Sequence, residues 1–211
     1  MPEYSLYLVT DRGLALGRST VDIVRAALDG GITCVQLREK NCTTREFLAE
    51  AKAVRNLLHG SGVPLIINDR IDVAMAVHAD GVHLGQTDMP IAEARRLVGT
   101  RMRIGISAEC LDDAIRAEAE GADYIGISPV FSTPTKTDTA PPLGLEGIRI
   151  IRERVSIPLV GIGGIGPGNA AQVIRAGCDG IAVVSAIVSA PDPGQAAAEL
   201  SRIVAVAKEK S

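Results

Sequence analysis

Short apolar runs recur along the chain, each closed by a polar residue or glycine and followed by a stretch with helical spacing. The runs read as strands at 5–10 (SLYLVT), 34–38 (CVQLR), 64–68 (PLIIN), 81–85 (GVHLG), 103–107 (RIGIS), 124–128 (YIGIS), 158–163 (PLVGIG) and 180–185 (GIAVVS). Their ends follow one another at a mean step of about 25 residues, room for one strand, two short loops and a three-turn helix. Between them, 20–31 places Val21, Val24, Ala27 and Leu28 on one face and ends in glycine, a helix C-cap signal. The pattern repeats at 111–122 and 169–178, and a last helix is expected over about 192–210 with Ala196, Leu200, Ile203 and Val204 on its packed face. No linker or shift of composition divides 1–211, so a single domain is expected.

Eight alternating units fit either an open doubly wound sheet or a closed (β/α)8 TIM barrel. The units are regular, and polar residues stand at nearly every strand's carboxyl end, which suits a barrel whose strand ends share one mouth. No G-x-G-x-x-G follows the first strand, so a dinucleotide site is not indicated.

Period-two alternation then sorts side chains into barrel and helix faces. Gln36 and Arg38 are expected inside, with Lys40 just above, while Val35 and Leu37 face the helices. A buried arginine is costly alone, so Arg38 needs a carboxylate partner or an anionic ligand. Asn68 and Ser107 are expected to face in, as are Gly105, Gly126, Ser128, Gly161 and Gly163. Glycine packs nothing at such positions, which suggests space kept for a ligand.

Residues 161–170 (GIGGIGPGNA) join the seventh strand to its helix, where glycines let backbone N–H groups approach a phosphate. Ser185, at the end of the eighth strand, can add to the same site, the usual phosphate position in barrels. Asp69 and Asp88 follow neighbouring strands, so their carboxylates should lie close together. Two such charges repel, which favours a shared divalent cation, and an all-oxygen set suits Mg²⁺ better than zinc. Helix N-capping is the other role open to them. The long polar segment 132–144 reads as a binding loop, with Lys136 poised to fold over an anion. Arg38, Lys40, Lys136 and a metal exceed what one monophosphate requires. Two anionic substrates are therefore expected, a diphosphate leaving group and a backbone-bound monophosphate.

Composition narrows the partners. The formal net charge is −3 and aromatics are 2% with no Trp, so neither a basic field nor stacking rings are present for nucleic acid. With so few aromatics the core is expected to be aliphatic. Cys34, Cys42, Cys110 and Cys178 form no C-x-x-C pair and read as reduced thiols. No secretory signal and no run long enough to span a membrane is visible, so a cytoplasmic protein with no membrane partner is expected. Assembly into a homo-oligomer is left open.

The segments YLVTD (7–11), QLREK (36–40), ND (68–69), DGVHLGQxD (80–88), GIS (105–107), TxTK (133–136), GIGGI (161–165) and VVSAI (183–187) resemble the thiamine-phosphate synthase family, in order and over essentially the whole chain. The resemblance implies condensation of a hydroxymethylpyrimidine diphosphate with a hydroxyethylthiazole phosphate, releasing pyrophosphate, with Mg²⁺. It implies a pyrimidine diphosphate site at Gln36, Leu37, Arg38, Glu39, Lys40, Asn68, Ser107 and Lys136. Of these, Arg38, Lys40, Ser107 and Lys136 would carry the catalysis. It further implies a thiazole phosphate site at Thr133, Pro134, Thr135, Gly164, Val184 and Ser185, and metal ligation by Asp69 and Asp88. Loss of the diphosphate would leave a methylene cation on the pyrimidine for the thiazole nitrogen to capture, so no nucleophilic dyad is required. Ser128 departs from the glycine more usual there. His59 and His78 read as solvent-facing, and inward His83 as a hydrogen-bonded filler. A thiazole tautomerase, a thiamine-phosphate sensor and a sugar-phosphate isomerase are the rivals. The first two are disfavoured by the retained cations and aspartates, and the third would want a carboxylate or histidine base at the mouth with no metal pair.

Overall fold

The apolar runs form eight short parallel strands, and the strands close on themselves. In the computed structural model, which describes residues 4–133 and 141–210, they are β1 (Leu6–Val9), β2 (Cys34–Leu37), β3 (Leu65–Asn68), β4 (Gly81–Leu84), β5 (Arg103–Ala108), β6 (Tyr124–Ile127), β7 (Leu159–Ile162) and β8 (Gly180–Val183). Each pairs with its sequence neighbour and β8 returns to β1, giving a closed barrel in the order β1 to β8. This is the (β/α)8 architecture that the periodicity predicts. Around it run α1 (Thr20–Asp29), α2 (Thr44–Leu58), α3 (Ile71–Ala76), α4 (Ile91–Val98), α5 (Leu111–Ala119), α6 (Gly144–Arg152), α7 (Ala170–Arg175), α8 (Ser185–Val188) and α9 (Pro193–Lys208). Local chemistry starts several of them. Ser19 accepts from the Asp22 N–H, Thr43 and Glu46 form a reciprocal capping box, and Asp192 caps α9 with Pro193 in its first turn. The buried face of α1 is Thr20, Ile23, Val24 and Ala27; of the expected face, Val24 and Ala27 are buried and Val21 and Leu28 only partly so.

Two cores result. The outer one, between strands and helices, is aliphatic as expected: Val35, Leu37, Leu65, Ile67, Ile104, Ile125 and Ile181 meet α-helical Val24, Ala51, Val173 and Leu200. The inner one is not. All three tyrosines of the chain, Tyr4, Tyr7 and Tyr124, fill the barrel with Val9, Cys34, Ile66, Val160 and Ala182. The Tyr4 and Tyr124 rings stand 4.5 Å apart. The few aromatics of the sequence are thus concentrated where a barrel of small inward residues leaves most room.

This packing corrects two expectations about glycine. A Cβ on Gly105 would lie 2.1 Å from the Tyr124 ring, and one on Gly126 would lie 3.1 Å from His83, so these gaps house protein rings. On β7 the parity is opposite to that expected: Val160 and partly buried Ile162 face the interior, and Gly161 faces outward. A Cβ there would meet Val173 at 2.7 Å, so Gly161 brings α7 close to the sheet.

At the amino end of the barrel an arrangement repeats three times. Asp80 accepts from Arg55 of α2 and from the Leu65 N–H, both at 2.8 Å. Asp123 accepts from Arg95 of α4 at 2.6 Å and the Ile104 N–H at 2.8 Å. Asp179 accepts from Arg152 of α6 at 3.2 Å and the Leu159 N–H at 2.8 Å. Each clamp ties an even helix to the start of an odd strand and the following even strand. The Leu65, Ile104 and Leu159 N–H groups are satisfied in this way, as a buried strand end requires.

Candidate active site

The carboxyl ends of the strands enclose a cavity of 780 Å³. Strand alternation carries Gln36, Asn68, His83, Ser107 and Gly126 into it, and the loops after the strands add Arg38, Lys40, Asp69, Asp88, Gly164, Val184 and Ser185. Thr133 lies on its rim. Pro134, Thr135 and Lys136 fall outside the described residues. The side chains of Leu37 and Glu39 do not reach the cavity: Leu37 is in the outer core, and Glu39 turns toward Arg12 at 3.5 Å. Any contact these two make with a ligand in the cavity is through their backbone.

The charges are arranged in pairs with one conflict. Arg38 reaches Asp11 at 3.0 Å, so a carboxylate answers the desolvation of the guanidinium while it still faces the cavity. Lys40 lies 2.5 Å from Asp69. Asp69 adopts a left-handed backbone (φ 59°), and its N–H bonds to the His83 carbonyl at 2.9 Å, which fixes the loop that presents its carboxylate. Asp88 accepts from the Gly85 N–H at 2.7 Å, closing the β4 loop. Neither aspartate caps a helix: the N-cap residues of α3 and α4 are Arg70 and Pro90, and neither helix has a side-chain cap. The Asp88 carboxyl is pushed above the usual carboxylate range, first by burial and then by the Asp69 charge, with Gly85 and Lys40 opposing. The two carboxylates thus repel each other in a half-buried mouth.

On the far side, the β7–α7 turn requires glycine. Gly163 (φ 101°) and Gly164 (φ 64°) are left-handed, and a Cβ on Gly164 would lie 2.6 Å from the Ser132 carbonyl. Asn169 ties the turn by donating to the Gly164 carbonyl and accepting from the Gly166 N–H, both at 2.9 Å. Bare backbone therefore faces the cavity here, next to the start of α8 at Ser185.

The periodicity did not disclose the floor. Gln36 Nε2 donates to the Tyr7 hydroxyl at 3.0 Å, the Tyr7 and Tyr124 hydroxyls are 2.8 Å apart, and Tyr124 lies 2.9 Å from His83 Nδ1. His83 Nε2 is 3.0 Å from Ser107 Oγ. Burial lowers the His83 pKa from 6.5 to about 4, so the ring is neutral at physiological pH, and burial holds both tyrosines well above their usual range. His83 is the hydrogen-bonded filler expected, but it is bonded on both nitrogens. His59 and His78 are exposed. Gln86 also joins the wall, donating to the Ser107 carbonyl at 2.6 Å and accepting from Arg116 at 2.6 Å.

Comparison with known proteins decides the family. The model of the thiamine monophosphate synthase family matches residues 6–187. The chain belongs to that family. Thiamine-phosphate synthase of Chloroflexus aurantiacus is 54% identical over 209 residues, covering 99% of this chain and 96% of that protein. The synthase of Albidiferax ferrireducens is 56% identical over 199 residues, covering 94% and 91%. The solved thiamine phosphate pyrophosphorylase of Pyrococcus furiosus superposes with a TM-score of 0.91 at 44% identity, covering 98% of each chain. The chain is accordingly a transferase of thiamine-phosphate synthesis. No described helix is long and apolar enough to cross a membrane.

Proposed function

We propose that the chain joins an aminopyrimidine methyl diphosphate to a thiazole phosphate, releasing pyrophosphate, with Mg²⁺ held at Asp69 and Asp88. The observation that carries this reading is the convergence of Arg38, Lys40, Asp69 and Asp88 on one wall of a cavity whose opposite wall is bare backbone. Each cation of the first wall already has a carboxylate partner, so the described side chains offer a diphosphate little net positive charge. Among the described residues no cluster of three His, Cys, Asp or Glu groups forms a complete metal cage. Two carboxylates with room for ligand oxygens match the way Mg²⁺ is commonly held, by one or two acids and the substrate's phosphates. When bound, the ion would neutralise charge that develops on the departing pyrophosphate.

The chain's own groups divide the remaining work. Arg38 and Lys40 bind the diphosphate oxygens and stabilise them as the carbon–oxygen bond breaks. Lys136, by family resemblance, joins them from the far loop. Gln36, Asn68 and Ser107 orient the pyrimidine ring over the floor. The 163–169 turn with Val184 and Ser185 holds the thiazole phosphate by backbone amides, and Thr133 with Pro134 and Thr135 completes that side. Orientation supplies a large share of the rate, because the thiazole nitrogen must meet a short-lived cation before water does. Mixing the purified protein with both substrates and Mg²⁺ should release pyrophosphate and thiamine phosphate in equal amounts. Pyrophosphate without thiamine phosphate, or no turnover at all, rejects the reading.

A further inference from the structure

Four hydrogen bonds cross the barrel beneath the cavity, and the first of them decides the direction of the rest. The Gln36 amide donates to the Tyr7 oxygen. A phenol has one proton, so the Tyr7 proton continues to the Tyr124 oxygen, and the Tyr124 proton continues to His83 Nδ1. A neutral imidazole carries one N–H. With Nδ1 accepting, that proton sits on Nε2 and is donated to Ser107 Oγ. The Ser107 hydroxyl proton is then left over, on a side chain that lines the cavity. All the rings involved are buried, with Tyr7 and Tyr124 at 1% and 0% exposure and His83 at 8%, so water does not compete for these positions.

We propose that His83 is a positioning residue: fixed as the Nε2–H tautomer by Tyr124, it accepts no proton from Ser107 and so makes Ser107 a hydrogen-bond donor to an acceptor atom of the pyrimidine. The ring that rests here must therefore present an acceptor, such as a ring nitrogen, to Ser107. The inference depends on the reading of Ser107 as a pyrimidine contact, but its structural half does not. The reverse direction requires Tyr7 to donate toward β2 instead, to an acceptor at the Gln36 amide or to the Cys34 sulfur beside it.

That requirement supplies the test. In protein labelled with ¹⁵N-histidine, and carrying His59→Gln and His78→Gln so that a single ring remains, two-bond ¹H–¹⁵N spectra report which nitrogen of His83 bears the proton. The unliganded protein should show Nε2–H. Gln36→Glu, read at a pH where its carboxyl is ionised, installs a group that can only accept, so it should reverse the whole chain and move the proton to Nδ1, three residues away along the relay. A proton on Nδ1 in the parent, or no change in Gln36→Glu, overturns the proposal. The functional half is read in binding. His83→Leu should raise the KM for the pyrimidine diphosphate about tenfold to a hundredfold, with kcat changed less. Ser107→Ala added to it should cost less than a further twofold, since both act on one hydrogen bond. His83→Gln, whose amide N–H can reach toward Ser107, should recover much of the loss. Independent, multiplying losses, or equal damage by Leu and Gln, reject the positioning role. If the protein makes no thiamine phosphate, the tautomer result still stands or falls by itself.

Discussion

The two ends of this barrel use the same residue types to opposite effect. At the amino end, the Oδ2 atoms of Asp80, Asp123 and Asp179 each accept from one arginine and one backbone N–H. At the carboxyl end, Asp69 shares Lys40 but faces Asp88, whose carboxyl is forced toward its protonated form. The first arrangement pairs each carboxylate with an arginine of its own and reads as stability. The second leaves a like-charge conflict that the protein does not resolve, which marks the place where a ligand or cation is expected. Charge pairs alone do not distinguish the ends. Whether a second carboxylate faces the pair does.

The strongest way to break this comparison is to remove one charged partner at each end. Arg38→Ala should lower turnover by about 10²–10³-fold, the usual cost of losing one donor to a charged transition state, with the melting temperature nearly unchanged. Losing its partner Asp11 by Asp11→Ala should leave the fold intact too. If Arg38→Ala unfolds the protein instead, the mouth is as structural as the base and the contrast fails.

At the other end, Asp123→Ala strands the Arg95 guanidinium and the Ile104 N–H together. Partial exposure of the pair moderates the loss, to about 2 kcal/mol, or a fall of about 4–8 °C in the melting temperature of a chain this size. Turnover per folded molecule should hold. A loss of kcat with normal stability would show that the base communicates with the site.

Much of this was legible beforehand, and the misses have physical causes. The barrel, its eight strands and the sorting of Gln36, Ser107, Leu65 and Ile67 follow from period-two alternation, because parallel strands packed on both faces keep their parity. Parity failed on β7, where Val160 and Gly161 are both apolar and only the approach of Val173 shows which one faces the helix. The clamps leave a visible trace, an aspartate just before β4, β6 and β8, but a charge on a solvated end carries no message without its arginine partner three elements earlier. The tyrosine floor was hidden for a related reason. Tyr7, Tyr124 and Gly105 lie far apart in sequence, and composition reports that aromatics are few, not that they meet. The cluster of Arg38, Lys40, Asp69 and Asp88 was found because each stands at a strand end, and strand ends share one mouth.

Glu39 extends the comparison to the outside of the mouth. It lies between Arg38 and Lys40 in sequence, yet its side chain is only 4% exposed and its Oε1 has no hydrogen-bond partner among the described residues. Burial, then the Glu50 charge, raises its pKa from 4.5 to about 7, with Arg12 opposing. The folded chain thus holds a proton that the unfolded chain releases above pH 4.5. Its stability contribution is complete below about pH 4.5 and is lost as pH rises through about 7. Glu39→Gln should therefore melt higher than the parent above pH 7, by about 1–2 kcal/mol after screening by solvent and Arg12, and the gap should close toward pH 4.5. A variant that melts lower at pH 8 would mean that the carboxylate is well paired.

The smallest effect is the sharpest test, because it asks for stability and activity to move in opposite directions. Asp88→Asn keeps an oxygen to accept from the Gly85 N–H but removes the charge that Asp69 repels. A folded-state pKa raised above the usual value means that ionising Asp88 costs stability, and that cost is paid only at pH values above its carboxyl range. At neutral pH the variant should gain about 0.5–1 kcal/mol, an increase of a few degrees at most, and the gain should vanish in acid. The same change should raise the Mg²⁺ concentration needed for half-maximal turnover, since one of two proposed ligands is neutral. Melting curves at pH 7 and pH 4, set beside a magnesium titration of pyrophosphate release, give all three readings. Should Asp88→Asn lose stability at pH 7, the mouth holds no stored repulsion, and the difference between the two ends of the barrel is only one of position.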